Sequence, residues 1–268
     1  WSAVVRGRWP AGDVEEPMAS PWRLRTRINP MPKLWARCWA ITNMGWNTRV
    51  LEVLRHFNSA GFGGSVALDL TTEPLAESEL LTSEVPVSAT PTRRTEFATG
   101  RALVRRCLIT LGQPPQNIER GPDREPIWPE GLTGSISHTA GLTIAVVWAP
   151  PDVKGAGIGI DAEQLSRVDQ TVFDTVFTAQ ERELLSRCNA QERDLLATGL
   201  FSAKESIYKA QYPLTRRFID YHEIEIIPEN VLGNTTGITP LRLQHSLPEL
   251  EPYAFHVFYA QYGRFVVS

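Results

Sequence analysis

The segment Asp194–Gln211 constrains the fold of this chain more than any other. Leu195, Leu196, Leu200, Phe201, Ile207 and Tyr208 recur along it at helical spacing, and Pro213 closes it. A helix so apolar has to be covered over most of its surface. Yet it also carries Lys204, Glu205 and Lys209. Glu205 and Lys209 are four residues apart and share one face, with Phe201 a turn earlier. On an exposed helix such a pair is a solvated contact worth about 0.2–0.5 kcal/mol. Two facts point elsewhere. The flanks are apolar, and only four of the 27 Lys+Arg are lysines, two of them inside Phe201–Lys209. Arg clamps anions but keeps its proton, whereas Lys can release one when its pKa is depressed.

The elements around this helix are mixed. Ser65–Leu70 reads as a strand, Glu73–Thr90 as a helix or irregular link, and Thr92–Gly112 as an amphipathic helix stopped by Gly112. Leu132–Ser137 and Leu142–Ala149 are strand-like and joined by a tight turn at His138–Gly141. Gly157–Glu163 is a further strand, and Thr178-Ala-Gln-Glu181 is a capping box that opens a helix to about Ser186. His222–Ile227, Leu241–His245 and Tyr253–Tyr262 complete the strands. Strands and helices recur without strict alternation, which predicts an α+β fold.

With 268 residues, 42% hydrophobic and 21% charged, the chain has the composition of a globular protein with a real core. Its formal charge of −3 excludes a general polyanion binder. That total is uneven: residues 1–60 hold nine bases and four acids, a net of +5, so the remainder carries −8. Six of the eight Trp also fall in the first 46 residues. A basic, Trp-rich arm suits nucleic acid or membrane, but charge and Trp alone support it, and residues 1–64 are read as an extension that is poorly ordered. Only Thr48–Ser59 within it has helical periodicity. Cys38, Cys107 and Cys188 lie far apart without a C-x-x-C pair, which excludes a disulfide framework and fits the cytoplasm. No apolar run approaches a membrane span.

Four segments could carry chemistry. In Gly159-Ile-Asp161-Ala-Glu163 the two carboxylates share a strand face at the end of an apolar run, where they can bind a hard cation, although an Asp-x-Glu is commonly a solvated pair. The glycines before it, Gly155, Gly157 and Gly159, do not make a dinucleotide loop, because Ile160 stands where G-x-G-x-x-G needs Gly. Ser137 and His138 are neighbours and cannot form a nucleophile–base pair, but at a strand end they can surround a phosphate. Arg93 and Arg101 are two helical turns apart and can face one ligand, and Arg124 adds a loop cation.

In this order, R-R-x-E-F-x-x-G-R (Arg93–Arg101), G-P-x-R-x-P-x-W-P (Gly121–Pro129), S-I-S-H-T (Ser135–Thr139), G-I-D-A-E (Gly159–Glu163), F-S-A-K-E-S-I-Y-K-A (Phe201–Ala210) and Y-P-L-T-R-R (Tyr212–Arg217) form a specific set. The chain from about Ser65 to Ser268 resembles 4′-phosphopantetheinyl transferases of the large single-chain type, in the subgroup of enterobactin-synthase component D. The resemblance implies two similar α/β halves, a pseudo-dimer, at residues 65–158 and 159–268, with coenzyme A in the cleft between them. It implies a monomer that moves the phosphopantetheine arm of coenzyme A to a serine of an apo acyl or peptidyl carrier protein, releasing 3′,5′-ADP. Carried over by position, Asp161, Glu163 and Glu205 ligate Mg²⁺, or Mn²⁺ in its place. Glu205 is then also the base, and Lys209 neutralises or protonates the leaving phosphate. Arg93, Arg101, Arg124, Ser137, His138 and Lys204 bind the nucleotide. Phe173 and Phe177 are expected on the carrier-facing surface. The chemistry leaves two rival readings open: a scaffold that binds coenzyme A or a carrier without turnover, and a Mg²⁺-dependent nucleotide hydrolase.

Overall fold

The computed structural model describes residues 2–7, 62–75, 90–166, 168–228 and 238–268. The expected helix Thr48–Ser59 and most of Glu73–Thr90 lie outside them. The described elements run β1 (Ser2–Gly7), β2 (Ser65–Thr71), α1 (Pro91–Thr110), β3 (Thr133–Thr139), β4 (Leu142–Ala149), β5 (Ala156–Ile160) and β6 (Ala162–Gln164). They continue with α2 (Ala179–Ser186), α3 (Ala190–Thr215), β7 (Ile224–Pro228), β8 (Ile238–His245), β9 (Tyr253–Tyr262) and β10 (Phe265–Val267). Helix and strand are mixed without alternation, and the expected α+β class holds.

In the first half, β2, β4 and β3 form an antiparallel three-stranded sheet with β4 at its centre. Helix α1 covers one face of it. Its Leu103, Val104, Cys107 and Leu108 are buried against Ala67, Ala145 and Val147. Thr90 caps the helix by accepting from the Arg93 N–H, and Gly112, at φ +72°, takes the left-handed conformation that ends it. The opposite face of β4 (Ile144, Val146, Trp148) meets Ile158, Ile160, Phe258 and Val267, so one apolar layer joins this sheet to the second.

The second sheet has seven strands, in the order β5-β1-β9-β10-β6, with β7 and β8 branching from β9. Strand β1 pairs antiparallel with β5 and with β9, a position the sequence reading of residues 1–64 as a poorly ordered extension does not contain. In Ser-Ala-Val-Val-Arg-Gly the two strand formers, Val4 and Val5, are adjacent, so the run has no apolar–polar alternation to mark it. The boundary at 158/159 also falls inside β5. The strand expected as Gly157–Glu163 is broken at Asp161, whose N–H donates to the Ser268 carbonyl (2.8 Å) and whose own carbonyl accepts from the Ser268 N–H (3.0 Å). There the chain changes partner, from β1 to β10.

Helix α3 packs across this sheet, with Leu200, Ala203, Ile207 and Ala210 wholly buried. It starts earlier than the sequence suggests, because Asn189 and Glu192 form a capping box, and it runs past Pro213 to an end at Arg216 (φ +55°). Proline in the last turn costs one backbone hydrogen bond and is tolerated there. The contact that fixes the register of α3 is with β5. A Cβ on Gly159 would lie 1.8 Å from the Ser206 carbonyl oxygen, and one on Gly157 2.1 Å from that of Ala210. The glycines let strand and helix meet backbone to backbone, and this is the use of the G-x-G-x-G run. Gly159→Ala forces the two apart, and overpacking of that kind costs about 3 kcal/mol. Urea unfolding of the variant should show that loss, and unchanged stability would contradict the close approach.

Candidate active site

The seam of β5 and α3 ends where the chain leaves the sheet, at Asp161. There a cleft of about 430 Å³ opens between the α1–β3 edge of the first half and helix α3 of the second. Asp161 is 4% exposed. Its Oδ1 accepts from Lys209 Nζ (2.6 Å) and from Ser137 Oγ (2.8 Å), while its Oδ2 is buried with no hydrogen-bond partner. Lys209 Nζ also donates to the Ile160 carbonyl (3.2 Å), and Ser137 Oγ accepts from the Ala162 N–H (3.2 Å). Strand β3, strand β5 and helix α3 therefore converge on one carboxylate. An acceptor left bare in such a place costs about 1–3 kcal/mol unless something else satisfies it.

Helix α1 supplies the opposite wall. Arg93 and Arg101 both line the cleft, as their two-turn spacing predicts, and Arg101 lies buried over the Phe97 ring at 4.6 Å. Gly100 between them admits Ile136 of β3, whose Cγ2 would be 2.8 Å from a Cβ there. His138 Nε2 lies beside Arg93 Nη1 and 2.9 Å from Glu96 Oε2. Burial pushes the imidazole below its ordinary range, with Arg93 and Lys209 acting the same way and Glu96 opposing them. Arg124 lines the cleft from an exposed loop and holds φ +73°. That loop is tied to the far end of α3: Tyr212 donates to Asp123 Oδ2 (2.6 Å), and Arg216 pairs with Glu125.

Glu205 stands one turn before Lys209 and lines a second cavity, of about 340 Å³, walled by Ile207, Phe218, Ile219 and Ile224. Tyr208 lines both cavities. Tyr221 donates a hydrogen bond to Glu205 Oε1. The charges of Glu205, Asp161 and Glu163 all bear on the Tyr221 phenol, which burial and these neighbours push up from its ordinary range.

Several expectations need revision. Lys204, read as a nucleotide-binding cation, lines no part of the main cleft and is fully buried. Its ammonium is 2.9 Å from Glu181 Oε2, 2.6 Å from the Tyr221 carbonyl and 3.0 Å from that of Ile224, so all three of its N–H donors are used within the fold. Phe177, expected on a surface, is wholly buried, and Phe173 stacks edge-on against it at 5.1 Å. Ser137 is turned to Asp161. Among the described residues, no three His, Cys, Asp or Glu side chains are grouped as a ready metal site. Asp161, Glu163 and Glu205 supply the hard oxygen donors that Mg²⁺ takes, and Asp161 Oδ2 is an uncommitted acceptor. Lys209 and Tyr221, though, are the present partners of Asp161 and Glu205. The reading from sequence missed Tyr221, Tyr212, Asp123 and Glu181, each of which acts through a residue distant in sequence. Glu181 left a trace in its capping box, and Asp123 and Tyr212 lie in quoted motifs, but none of these signals named a partner.

Comparison with known proteins agrees with this layout. Residues 78–148 match the family described as 4′-phosphopantetheinyl transferase N-terminal domain, and residues 157–260 match the 4′-phosphopantetheinyl transferase superfamily. The chain is 39% identical over 150 residues to 4′-phosphopantetheinyl transferase Svp of Streptomyces mobaraensis, covering 56% of this chain and 60% of that protein. It is 38% identical over 159 residues to 4′-phosphopantetheinyl transferase Npt of Nocardia iowensis, covering 59% and 67%. With enterobactin synthase component D of Escherichia coli it shares 37% identity over 112 residues, covering 41% and 51%. The matched part thus spans about half to two thirds of these relatives. Both matched segments contribute walls to the one cleft, and on this ground the chain belongs to the 4′-phosphopantetheinyl transferase superfamily.

Proposed function

We propose that this chain transfers the 4′-phosphopantetheine arm of coenzyme A to a serine of an apo acyl or peptidyl carrier protein and releases 3′,5′-ADP. The observation that carries this reading is a pair of cavities that share Tyr208 as a wall, Lys209 lining the one that holds Arg93, Arg101 and Arg124, and Glu205 the one walled mainly by Ile207, Phe218, Ile219 and Ile224. Coenzyme A is divided in the same way. Its nucleotide end is strongly anionic, its pantetheine arm is uncharged, and the bond to be broken lies between them.

In this reading the two halves form a pseudo-dimer with the nucleotide between them, and the protein works as a monomer. Arg93, Arg101, Arg124 and His138 bind the nucleotide phosphates, and Ser137 fixes Asp161. The serine oxygen of the carrier attacks the phosphorus that bears the pantetheine arm, and its proton passes to Glu205, directly or through water. The bond from that phosphorus to the bridging oxygen breaks, and the electrons leave on 3′,5′-ADP. Lys209 is placed to neutralise that charge or to protonate the oxygen. Asp161, Glu163 and Glu205 would hold Mg²⁺, which, when bound, polarises the phosphoryl oxygens and offsets the charge of the three carboxylates.

Two measurements test the proposal. Incubation with coenzyme A, Mg²⁺ and apo carrier proteins of both kinds should give the phosphopantetheine mass gain by intact-protein spectrometry. Glu205→Gln should slow that transfer by about 10²-fold or more, the span a lost general base commands. Coenzyme A binding without any mass gain would instead support a non-catalytic binding protein, and full activity of Glu205→Gln would sink the assignment of Glu205. The second measurement concerns His138. Its lowered pKa keeps it neutral near pH 7, and a phosphate beside it favours the imidazolium, so binding of coenzyme A takes up protons. Calorimetry at pH 7 in buffers of different ionisation enthalpy should detect this uptake in the wild type and less of it in His138→Gln. Equal uptake in both would remove His138 from the phosphate site.

A further inference from the structure

The reassignment of Lys204 leaves a question: what does a fully buried ammonium do one residue before Glu205? Its partner Glu181 is itself fixed at both oxygens. Oε1 accepts from the Ile226 N–H (2.7 Å) and Oε2 from the Thr178 N–H (2.8 Å), so the carboxylate joins the start of α2 to strand β7. Lys204 crosses from α3 to this carboxylate and on the way donates to the Tyr221 and Ile224 carbonyls. The short turn Tyr221–Glu223, which opens β7, is thereby held to α3 through its backbone. Its first side chain then returns to the same helix, where the Tyr221 hydroxyl meets Glu205 Oε1. Adjacent residues of one helix thus serve one turn from two sides: Lys204 grips its main chain, and Glu205 receives its side chain.

The hydroxyl is the informative atom. The Tyr221 ring already has a packing partner in Phe201, with centroids 6.0 Å apart, and phenylalanine would fill that space equally well. Burial of the ring needs no oxygen. A phenolic O–H on a carboxylate oxygen removes one rotational choice from that carboxylate, as outer partners of ligating and catalytic groups commonly do.

We propose that Tyr221 is a positioning residue for Glu205: its hydroxyl holds the carboxylate in a single orientation at the wall of the second cavity, and the Lys204–Glu181 pair fixes the turn that carries it. The proposal rests on the reading of Glu205 as a working carboxylate. It assigns Tyr221 no contact with substrate.

Tyr221→Phe keeps the ring and deletes the oxygen. The variant should melt with the wild type, lose about tenfold or more in kcat, and keep its KM for coenzyme A within about twofold. Independently of turnover, its affinity for Mn²⁺, read from the free-ion electron paramagnetic resonance signal, should fall about tenfold. In a Glu205→Gln background the same substitution should leave Mn²⁺ affinity unchanged, because its effect passes through Glu205. If phenylalanine lowers the melting point, Tyr221→His against Tyr221→Leu makes the same comparison with and without a ring donor. Wild-type kcat and Mn²⁺ affinity in Tyr221→Phe would overturn the proposal. So would an equal loss with and without Glu205, which marks a merely structural tyrosine. A wild-type protein that binds Mn²⁺ but transfers nothing refutes the proposed function, while the affinity comparison still decides Tyr221. One that does neither overturns both.

Discussion

The backbone contact of β5 with α3 is the constraint on which the rest of the site depends. Two glycines remove the Cβ atoms that would hold strand and helix apart, and carbonyl oxygens of the helix occupy that space. At this separation Lys209 reaches the Ile160 carbonyl and the Asp161 carboxylate together. A wider spacing would leave Lys209 short of Asp161, while Ile158 and Ile160, on the other face of β5, pack against β4. The polar site is thus an extension of a packing decision made in the core.

Charge is distributed around this contact with some economy. A chain of net charge −3 is no general polyanion binder, yet the cleft is lined by Arg93, Arg101, Arg124, His138 and Lys209. Placement, not total charge, makes the cleft suit an anionic ligand. The lysine shortage marks the same helix but divides in meaning. Lys209 is a half-buried ammonium with a carboxylate partner at the cleft, whereas Lys204 is an interior strut. Lys204 needs the compact charge of Lys on a thin stem, since a planar guanidinium would not present three donors to a carboxylate and two carbonyls from one point.

Much of the fold was legible from local pattern. The helix expected over Thr92–Gly112 runs Pro91–Thr110 and stops at Gly112 as read, Tyr253–Tyr262 is a strand over the whole predicted run, and the helix after Thr178 begins at its capping box. The failures share a cause. Strand β1 pairs with residues some 150 and 250 positions away, the break at Asp161 is imposed by Ser268, and Lys204 is drawn inward by Glu181 and two carbonyls. None of these partners is near in sequence. Arg93, Arg101, Ser137, His138, Asp161 and Lys209 stood out because their motifs are local, and they line one cleft. Tyr221 was not, because its significance lies in a single oxygen across a turn.

In the proposed function, the seam of β5 and α3 brings Asp161, Lys209 and Glu205 around one scissile phosphate. Crystals grown with coenzyme A and Mn²⁺ test it most directly, through anomalous scattering from the metal. A Mn²⁺ peak is expected against the Asp161 and Glu205 carboxylates, with the pyrophosphate against Lys209 and His138 and the arm running along Tyr208 toward Phe218. A metal bound away from Asp161, or a nucleotide lying outside the cleft between α1 and α3, would contradict it.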